Sequence, residues 1–470
     1  MNQNRTKILA TIGPGCDNPE TLQSMVDAGV NLFRINLSQG TSDSKRQHIQ
    51  MVKQLHSPGG GYPAILGDLA GPKIRITSCP DNLILSPGDV ITITNDPSHN
   101  KEAIHITSGF AFKSLEDNAS VVMADGRIQL RVKEQTSPHT LVCETIYGGP
   151  ILSKKGVNFP GVAIDLPPLT TMDETDLRMC IEEEVDWIAL SYVRAATDRQ
   201  YIDRIFEETQ ANIPVIAKIE KWEALQDIEN IINTFDAVMV ARGDLGAEIP
   251  IEQVPLVQKR VLKEANRHGK PALIATQMLD SMIDNPVPTR AEVSDIANAI
   301  FEGADGLLVT GETAIGNHPV KVINTLKKVI LEIESSLDFD SPGYGSAGAL
   351  WTAEAIAQAT CNVTADLNLK AIVTMTHSGS TARMIARYRP NARVFALTPF
   401  SHIARRIALY WGVYSYLVKT FDHIDELPKI AKEILYKEKL LDRDDQFVIT
   451  GGVPIGISGT TNYLSVQQMD

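Results

Sequence analysis

The chain has 470 residues, of which 43% are apolar, a formal charge of −13 and five cysteines. That length holds two or three domains with ample core, and the acidic balance disfavours a nucleic acid or an anionic membrane as partner. No stretch has the layout of a secretory signal or the length of a membrane span. Cys16, Cys79, Cys143, Cys180 and Cys361 are scattered without CxxC or His pairing, the pattern of reduced thiols in a cytoplasmic protein rather than of a disulfide or zinc site.

Eight short apolar runs follow one another as buried strands: Thr6–Gly13, Leu32–Asn36, Ala64–Leu69, Trp187–Val193, Pro214–Glu220, Ala237–Gly243, Pro271–Gln277 and Gly306–Glu312. Most end in residues suited to phosphate or metal chemistry: Arg34 and Asn36, Asp68, Ser191, Lys218 and Glu220, Asp244 one step beyond its run, Thr276, and Glu312. Polar groups at the C-terminal ends of eight parallel strands predict a (β/α)8 TIM barrel with its active site there. Residues 70–186 form the one long gap, too long for a single βα connection. Its first part, 70–162, is β-rich, with a hairpin signal at Asp125-Gly126 and alternation in DVITIT and EAIHIT, which predicts an inserted small β-barrel or sandwich. The barrel resumes with a helix expected to open on a capping box, Thr171 with Glu174 three later, and it ends with a helix over about 319–337.

These runs divide the chain into a barrel over 1–69 and 163–337, the insert 70–162, a Gly/Ser/Pro-rich linker at 338–348 and a last domain at 349–470. In the last, KAIVTMT, RVFALT, GVYSYLV and QFVITGG alternate with helices near 353–367, 380–389, 402–411 and 424–441, predicting a C-terminal open α/β domain.

The chemistry gathers at the barrel mouth. Lys218 and Glu220 are two apart on a strand and share a face, and Asp244 follows the next strand. Two carboxylates on adjacent strand ends suit Mg2+, and a lysine beside them suits a phosphoryl group in transit. Arg34 offers a fork for phosphate, or a salt bridge with Asp68 or Glu312. Gly243 admits a close ligand, and Thr276 adds a hydroxyl. Lys154-Lys155-Gly156, where the insert returns, reads either as a solvated turn or as a contact to phosphates. Neither GxxxxGK[ST] nor a strand-borne GxGxxG occurs, so a nucleotide would bind in the cleft between barrel and insert.

Together, FRINLSQG (33–40), GDLAGPKIR (67–75), SKKGVNFPG (153–161), AKIEKWEAL (217–225), MVARGDLGAEIP (239–250), ATQMLDSMIDNPVPTRAEVSDIANAI (275–300) and GETA (311–314) resemble the pyruvate kinase family over essentially the whole chain. The likeness is to the bacterial type, without the N-terminal extension of some eukaryotic members. The resemblance implies a barrel, a β lid over 70–162 and a regulatory C-terminal domain, with phosphoryl transfer from phosphoenolpyruvate to ADP as the last step of glycolysis. It further implies that Glu220 and Asp244 hold Mg2+ (or Mn2+), that Lys218 stabilises the moving group, and that Arg34 clamps the phosphate. The turn Ala241, Arg242, Gly243, Asp244 and Thr276 would hold the substrate carboxylate, with Thr276 in the proton network. Asn36, Arg75 and Lys155 would face ADP and a second, nucleotide-borne Mg2+.

Several residues depart from the family pattern. Where many members have Asp-Thr-Lys-Gly-Pro-Glu, this chain has Asp68-Leu69-Ala70-Gly71-Pro72-Lys73. The acidic form goes with a potassium ion near Asn36, Ser38, Asp68 and Leu69. Two like charges about 4 Å apart repel by about 4 kcal/mol at an effective dielectric near 20, so Lys73 is expected to act as an internal cation there and potassium not to be required. Gln39 replaces a usual His, Ile315 a nucleotide-side Lys of some members, and Thr310 a usual Ser.

In the C-terminal domain, Thr376, Ser378, Gly379, Ser380 and Thr381 run from a strand into a helix N-terminus, an anion site in form, which GGVPIGISGTTN (451–462) could cover. The resemblance implies a phosphorylated allosteric effector and a homotetramer. Two other readings fit less of the chain. A phosphoenolpyruvate or pyruvate aldolase or mutase would leave the lid and Arg75 unexplained, and a non-catalytic sensor would not need Lys218, Glu220, Asp244 and Thr276 together.

Overall fold

A computed structural model of the chain describes residues 4–57, 61–112, 115, 118–124, 126–337, 351–420, 424–454 and 459–470. Eight parallel strands close a barrel: Lys7–Thr11, Leu32–Asn36, Ala64–Asp68, Trp187–Leu190, Val215–Ile219, Ala237–Ala241, Ala272–Ala275 and Gly306–Val309. The ring shuts where the first strand pairs with the last, Lys7 opposite Gly306. Strands covered on both faces need continuous apolar runs, not alternation. One face builds the interior layer of Leu9, Leu32, Leu66, Trp187, Met239 and Leu308; the other packs on the outer helices.

Between the third and fourth strands the chain leaves the barrel to form a mixed seven-stranded sheet. Its order is Val157–Asn158, Ser120–Met123, Ile128–Ser137, Thr140–Tyr147, Val90–Thr94, Ile104–Ile106 and Ile76–Ser78. The sheet curls around its own apolar core, including Ile93, Leu130, Leu141 and Phe159. Ser120–Met123 and Ile128–Ser137 pair antiparallel, as the hairpin reading requires; Asp125 itself lies outside the described residues.

The barrel's next helix, Thr171–Glu182, is capped one residue earlier than expected. Thr170 and Asp173 form the reciprocal box, and Asp173 also accepts the Gly71 backbone N–H at 3.1 Å. Glu174 lacks that tie to the chain entering the lid and turns outward to Arg204. The expected linker, 338–348, lies outside the described residues.

The C-terminal domain is an open sheet in the order Val413–Leu417, Arg393–Thr398, Ala371–Met375, Gln446–Gly452, Thr461–Gln468. The last strand is antiparallel and was not foreseen. TNYLSVQQ is half polar because it is an edge strand with one face open. The domain docks on the barrel's N-terminal end. Leu409 enters the barrel's interior apolar cluster, and Trp187 donates its indole N–H to Arg406 O at 3.1 Å.

Candidate active site

At the barrel's opposite end the strands deliver their polar residues into one network. Arg34 Nε meets Asp68 Oδ2 at 2.6 Å, and its Nη1 reaches Thr11 Oγ1 at 3.2 Å. Of the two salt-bridge partners open to Arg34, the structure selects Asp68. Glu312 is fully buried and caps the backbone N–H groups of Leu279 and Thr310. Lys218 Nζ lies 2.8 Å from Glu220 Oε1, 3.3 Å from Asp68 Oδ1 and donates to Ser191 Oγ at 2.9 Å.

The electrostatics follow from this crowding. Burial works against the charge on Lys218, but Asp68 and Glu220 outweigh it and hold its pKa above the usual lysine value. Burial works against the charge on Asp68 too, and there Lys218 and Arg34 prevail and lower it. Glu220 goes the other way: burial raises it and nearby Asp244 adds to that, against Lys218. Asp244, buried yet flanked by Lys73 and Lys218, is held below the usual carboxylate range. The network thus holds Lys218 as a fixed positive charge.

Glu220 Oε2 accepts the Tyr192 N–H at 2.8 Å. Its Oε1 is buried and makes no hydrogen bond, the Lys218 contact being misaligned for one. A carboxylate oxygen without a hydrogen bond, beside a second carboxylate, fits a hard divalent cation. Tyr192 was missed by sequence reasoning. It sits in the apolar run Trp187–Val193 and reads as core, yet it bridges the two carboxylates, its hydroxyl donating to Asp244 Oδ1 at 3.2 Å. It does so from a left-handed backbone (φ 57). Only that conformation, a costly one for a bulky residue, was a signal, and it is not visible in sequence.

Lys73 is not where the sequence placed it. Its ammonium pairs with Asp244 Oδ1 at 2.7 Å rather than with Asn36, Ser38 or Asp68. The reason is charge: Asp68 already has Arg34 and Lys218, and Asp244 is the carboxylate left to neutralise. Asn36 turns its Oδ1 to the Ser38 hydroxyl at 2.9 Å, beside Asp68 on the neighbouring strand. Leu69 is buried.

Thr276 and Gln277 both adopt left-handed backbones (φ 71 and 54). That twist aims Thr276 Oγ1 at the Gly243 N–H, 2.8 Å away. It also presents two carbonyls that Arg242 caps through its guanidinium, which further pairs with Asp295. The expectation that Arg242 binds substrate is therefore corrected for its side chain, which is spent on the fold. The Ala241–Asp244 turn retains only backbone donors, and Gly243 N–H is already taken by Thr276.

On the lid side, Arg75 forms a bridge with Gly156 and donates to Lys154 O at 3.1 Å. Lys155 is exposed, and so are Gln39 and Ile315. In the C-terminal domain, Thr376 Oγ1 accepts the Gly379 N–H at 2.9 Å and Thr381 bonds Thr461 at 2.7 Å. Two of the five expected effector contacts thus spend hydroxyls inside the fold, while Ser378 and Ser380 face outward and bond each other at 3.1 Å. Of the covering loop, residues 455–458 lie outside the described residues.

Two family models match the chain: "Pyruvate kinase, barrel domain" over residues 3–323 and "Pyruvate kinase, alpha/beta domain" over 354–467. A pyruvate kinase of Sporosarcina psychrophila is 38% identical over 476 residues, covering 98% of this chain and 80% of that protein. A pyruvate kinase 2 of Synechocystis is 38% identical with nearly the same coverage, 98% and 79%. Among solved structures, a pyruvate kinase from Cryptosporidium parvum superposes with a TM-score of 0.93 at 31% identity, covering 100% of this chain and 97% of that one.

Proposed function

The chain belongs to the pyruvate kinase family and transfers the phosphoryl group of phosphoenolpyruvate to ADP, giving ATP and pyruvate; from that premise we propose how its own residues divide the work. The observation that carries the proposal is the buried Glu220 Oε1, without a hydrogen bond and 2.8 Å from Lys218 Nζ, beside Asp244, with Arg34 within the same network. A divalent metal belongs to this family's chemistry, and we assign Mg2+ (or Mn2+) to Glu220 and Asp244, where it would polarise the phosphoryl oxygens.

Lys218, held charged, stabilises the phosphoryl group as charge shifts to its equatorial oxygens. Arg34 keeps N–H donors beyond those given to Asp68 and Thr11 and turns them on the phosphate. Thr276 accepts from Gly243 and so has its own hydroxyl proton to donate, to the substrate carboxylate or into the proton path that converts enolate to pyruvate. Asn36, Arg75 and Lys155 take the ADP side. Closing the 70–162 lid excludes water, so that ADP rather than solvent receives the group.

We assign catalysis to 1–69 with 163–337 and regulation to 349–470, in a cytoplasmic homotetramer. The described helices include none long and apolar enough to cross a membrane. A phosphorylated effector is placed in the crevice outside Ala371–Met375 and Gln446–Gly452. There the strand order reverses, the position where open α/β sheets bind ligands. Lys73 brings an ammonium to the mouth, paired with Asp244, and turnover is assigned as independent of potassium.

The test is ATP formation from phosphoenolpyruvate, ADP and Mg2+, in potassium-free buffer and again with potassium. Equal turnover supports both assignments, tenfold or greater stimulation removes the potassium claim, and no ATP in either buffer overturns the catalytic roles.

A further inference from the structure

The lid is joined to the barrel by an outgoing segment, Pro72–Arg75, and a returning one, Lys154–Asn158. The Arg75–Gly156 bridge makes them one unit. Backbone bonds reinforce it: Ile76 N to Lys155 O at 2.9 Å, Val157 N to Ile74 O at 2.9 Å and Lys154 N to Ile76 O at 2.7 Å. This root touches the barrel at two carboxylates. Asn158 Nδ2 donates to Glu248 Oε1 at 2.7 Å, an oxygen that Lys221 also holds at 2.8 Å. Lys73 Nζ holds Asp244 Oδ1 at 2.7 Å, its ammonium 5.8 Å from the Tyr192 ring centre. The Lys73 stem lies on Gly156, where an added Cβ would sit 3.0 Å from Lys73 Cε. The missing side chain at 156 is what lets the lysine lie down towards Asp244.

The two ties differ in kind. Glu248 is buried and shared by two donors. The Lys73–Asp244 pair is about a quarter exposed on both sides, 23% and 25%, and Asp244 is one of the two carboxylates assigned to the metal. Asp244 Oδ1 already accepts from Lys73 and from the Tyr192 hydroxyl, so a divalent cation arriving at Asp244 meets a crowded oxygen and a like charge beside it. We propose that Lys73 is a displaceable latch: its ammonium fastens the lid root to Asp244, and a divalent cation arriving at Glu220 and Asp244 releases it. The lid then becomes free to move only in enzyme already loaded with metal. This rests on the Glu220–Asp244 metal assignment.

The latch reduces apparent metal affinity by the fraction of molecules in which Asp244 is free. If the latch is closed in about nine molecules of ten, Lys73→Met binds metal about tenfold tighter.

The experiment uses the full chain in potassium-free buffer, with Mn2+ alone as probe. Mn2+ binding is measured by electron paramagnetic resonance, and hydrogen exchange is followed in peptides covering 72–78 and 154–160. In the parent enzyme, saturating Mn2+ is expected to speed exchange in both peptides. In Lys73→Met, exchange should be fast before Mn2+ is added and unchanged after, with Mn2+ bound about tenfold tighter. Loss of a positive charge alone would also tighten binding. Tighter binding with parent-like lid-root exchange therefore overturns the latch, as does a parent lid root that ignores Mn2+. Asp244→Asn separates the two layers. Strong Mn2+ binding by that variant overturns the metal assignment and the latch with it. Loss of binding upholds the assignment, and the latch then stands or falls on the exchange behaviour of Lys73→Met.

Discussion

The two ends of the barrel use the same residue types to opposite ends. At the N-terminal end, carboxylates pair one to one with guanidinium groups across the domain contact, Asp186 with Arg405 at 2.9 Å and Asp305 with Arg389 at 3.0 Å, while Lys7 donates to Val413 O at 2.6 Å. Leu409 plugs the strands between them. At the C-terminal end, one ammonium serves two carboxylates, and Glu220 Oε1 has that ammonium at 2.8 Å but no hydrogen bond. One-to-one ion pairs specify docking, whereas a shared ammonium leaves its carboxylates poised for a ligand. What distinguishes an active site from an interface here is therefore not which charges are present but how they are shared.

The sharpest way to break this contrast is Lys218→Met. Removing one preorganised charge that acts on the transition state should cost at least about 3 kcal/mol of barrier, about a hundredfold or more in rate. Arg34 still neutralises Asp68, so the variant should fold, and circular dichroism beside the rate assay checks that loss of turnover is not loss of structure. At the other end, Leu409→Ala should do the reverse. A fully buried leucine cut to alanine loses about 3 kcal/mol of stability, read as a lower denaturation midpoint, while ATP formation by the folded enzyme stays near the parent's. A Leu409→Ala enzyme with normal stability would show that the plug carries no docking energy.

Asp186 sharpens the comparison through pH. Burial pushes it up to about 6, with Arg405 and the Ile65 N–H offsetting only part. In the unfolded chain an Asp titrates near about 3.9. Between those values the folded state holds more proton. The group's contribution is thus fully present below about pH 4 and is lost as pH rises towards 6. Relative to Asp186→Asn, the parent should lose about 2 kcal/mol of stability across that window. A constant difference between the two proteins from pH 4 to 7 would remove Asp186 as the titrating group.

How much of the fold and the site was legible in the sequence follows the same division. The eight strands were legible because strands buried on both faces force unbroken apolar runs. Arg34, Lys218, Glu220, Asp244 and Thr276 were legible because they interrupt those runs at their ends. What escaped was set by partners distant in sequence. Lys73 chooses Asp244 because Asp68 is already filled, the capping box moved to Thr170 because Asp173 also holds Gly71, and the Arg242 guanidinium turned inward because Thr276 and Gln277 expose their carbonyls. The edge strand Thr461–Gln468 escaped because a half-polar sequence is what an exposed edge permits.

Tyr192 probes the contrast most finely, since nothing in the sequence pointed to it. Its N–H holds Glu220 and its hydroxyl holds Asp244, so it fixes the separation of the two carboxylates. Burial and the Asp244 charge raise its pKa well above the ordinary tyrosine value, which keeps the hydroxyl a donor throughout the working pH range. Tyr192→Phe removes one hydrogen bond to a carboxylate and leaves the backbone contact in place. Bonds to charged groups are worth about 1.5–3 kcal/mol, but Asp244 keeps Lys73 in the free state and gains the metal in the loaded one. The net change should therefore be smaller, about 1 kcal/mol, or about fivefold weaker Mn2+ binding by titration. Because the tyrosine acts through Asp244 and not on substrate, the deficit should be recoverable at high metal concentration, with turnover returning to the parent's. A deficit that saturating Mn2+ leaves in place would mean that the hydroxyl touches the reacting atoms directly.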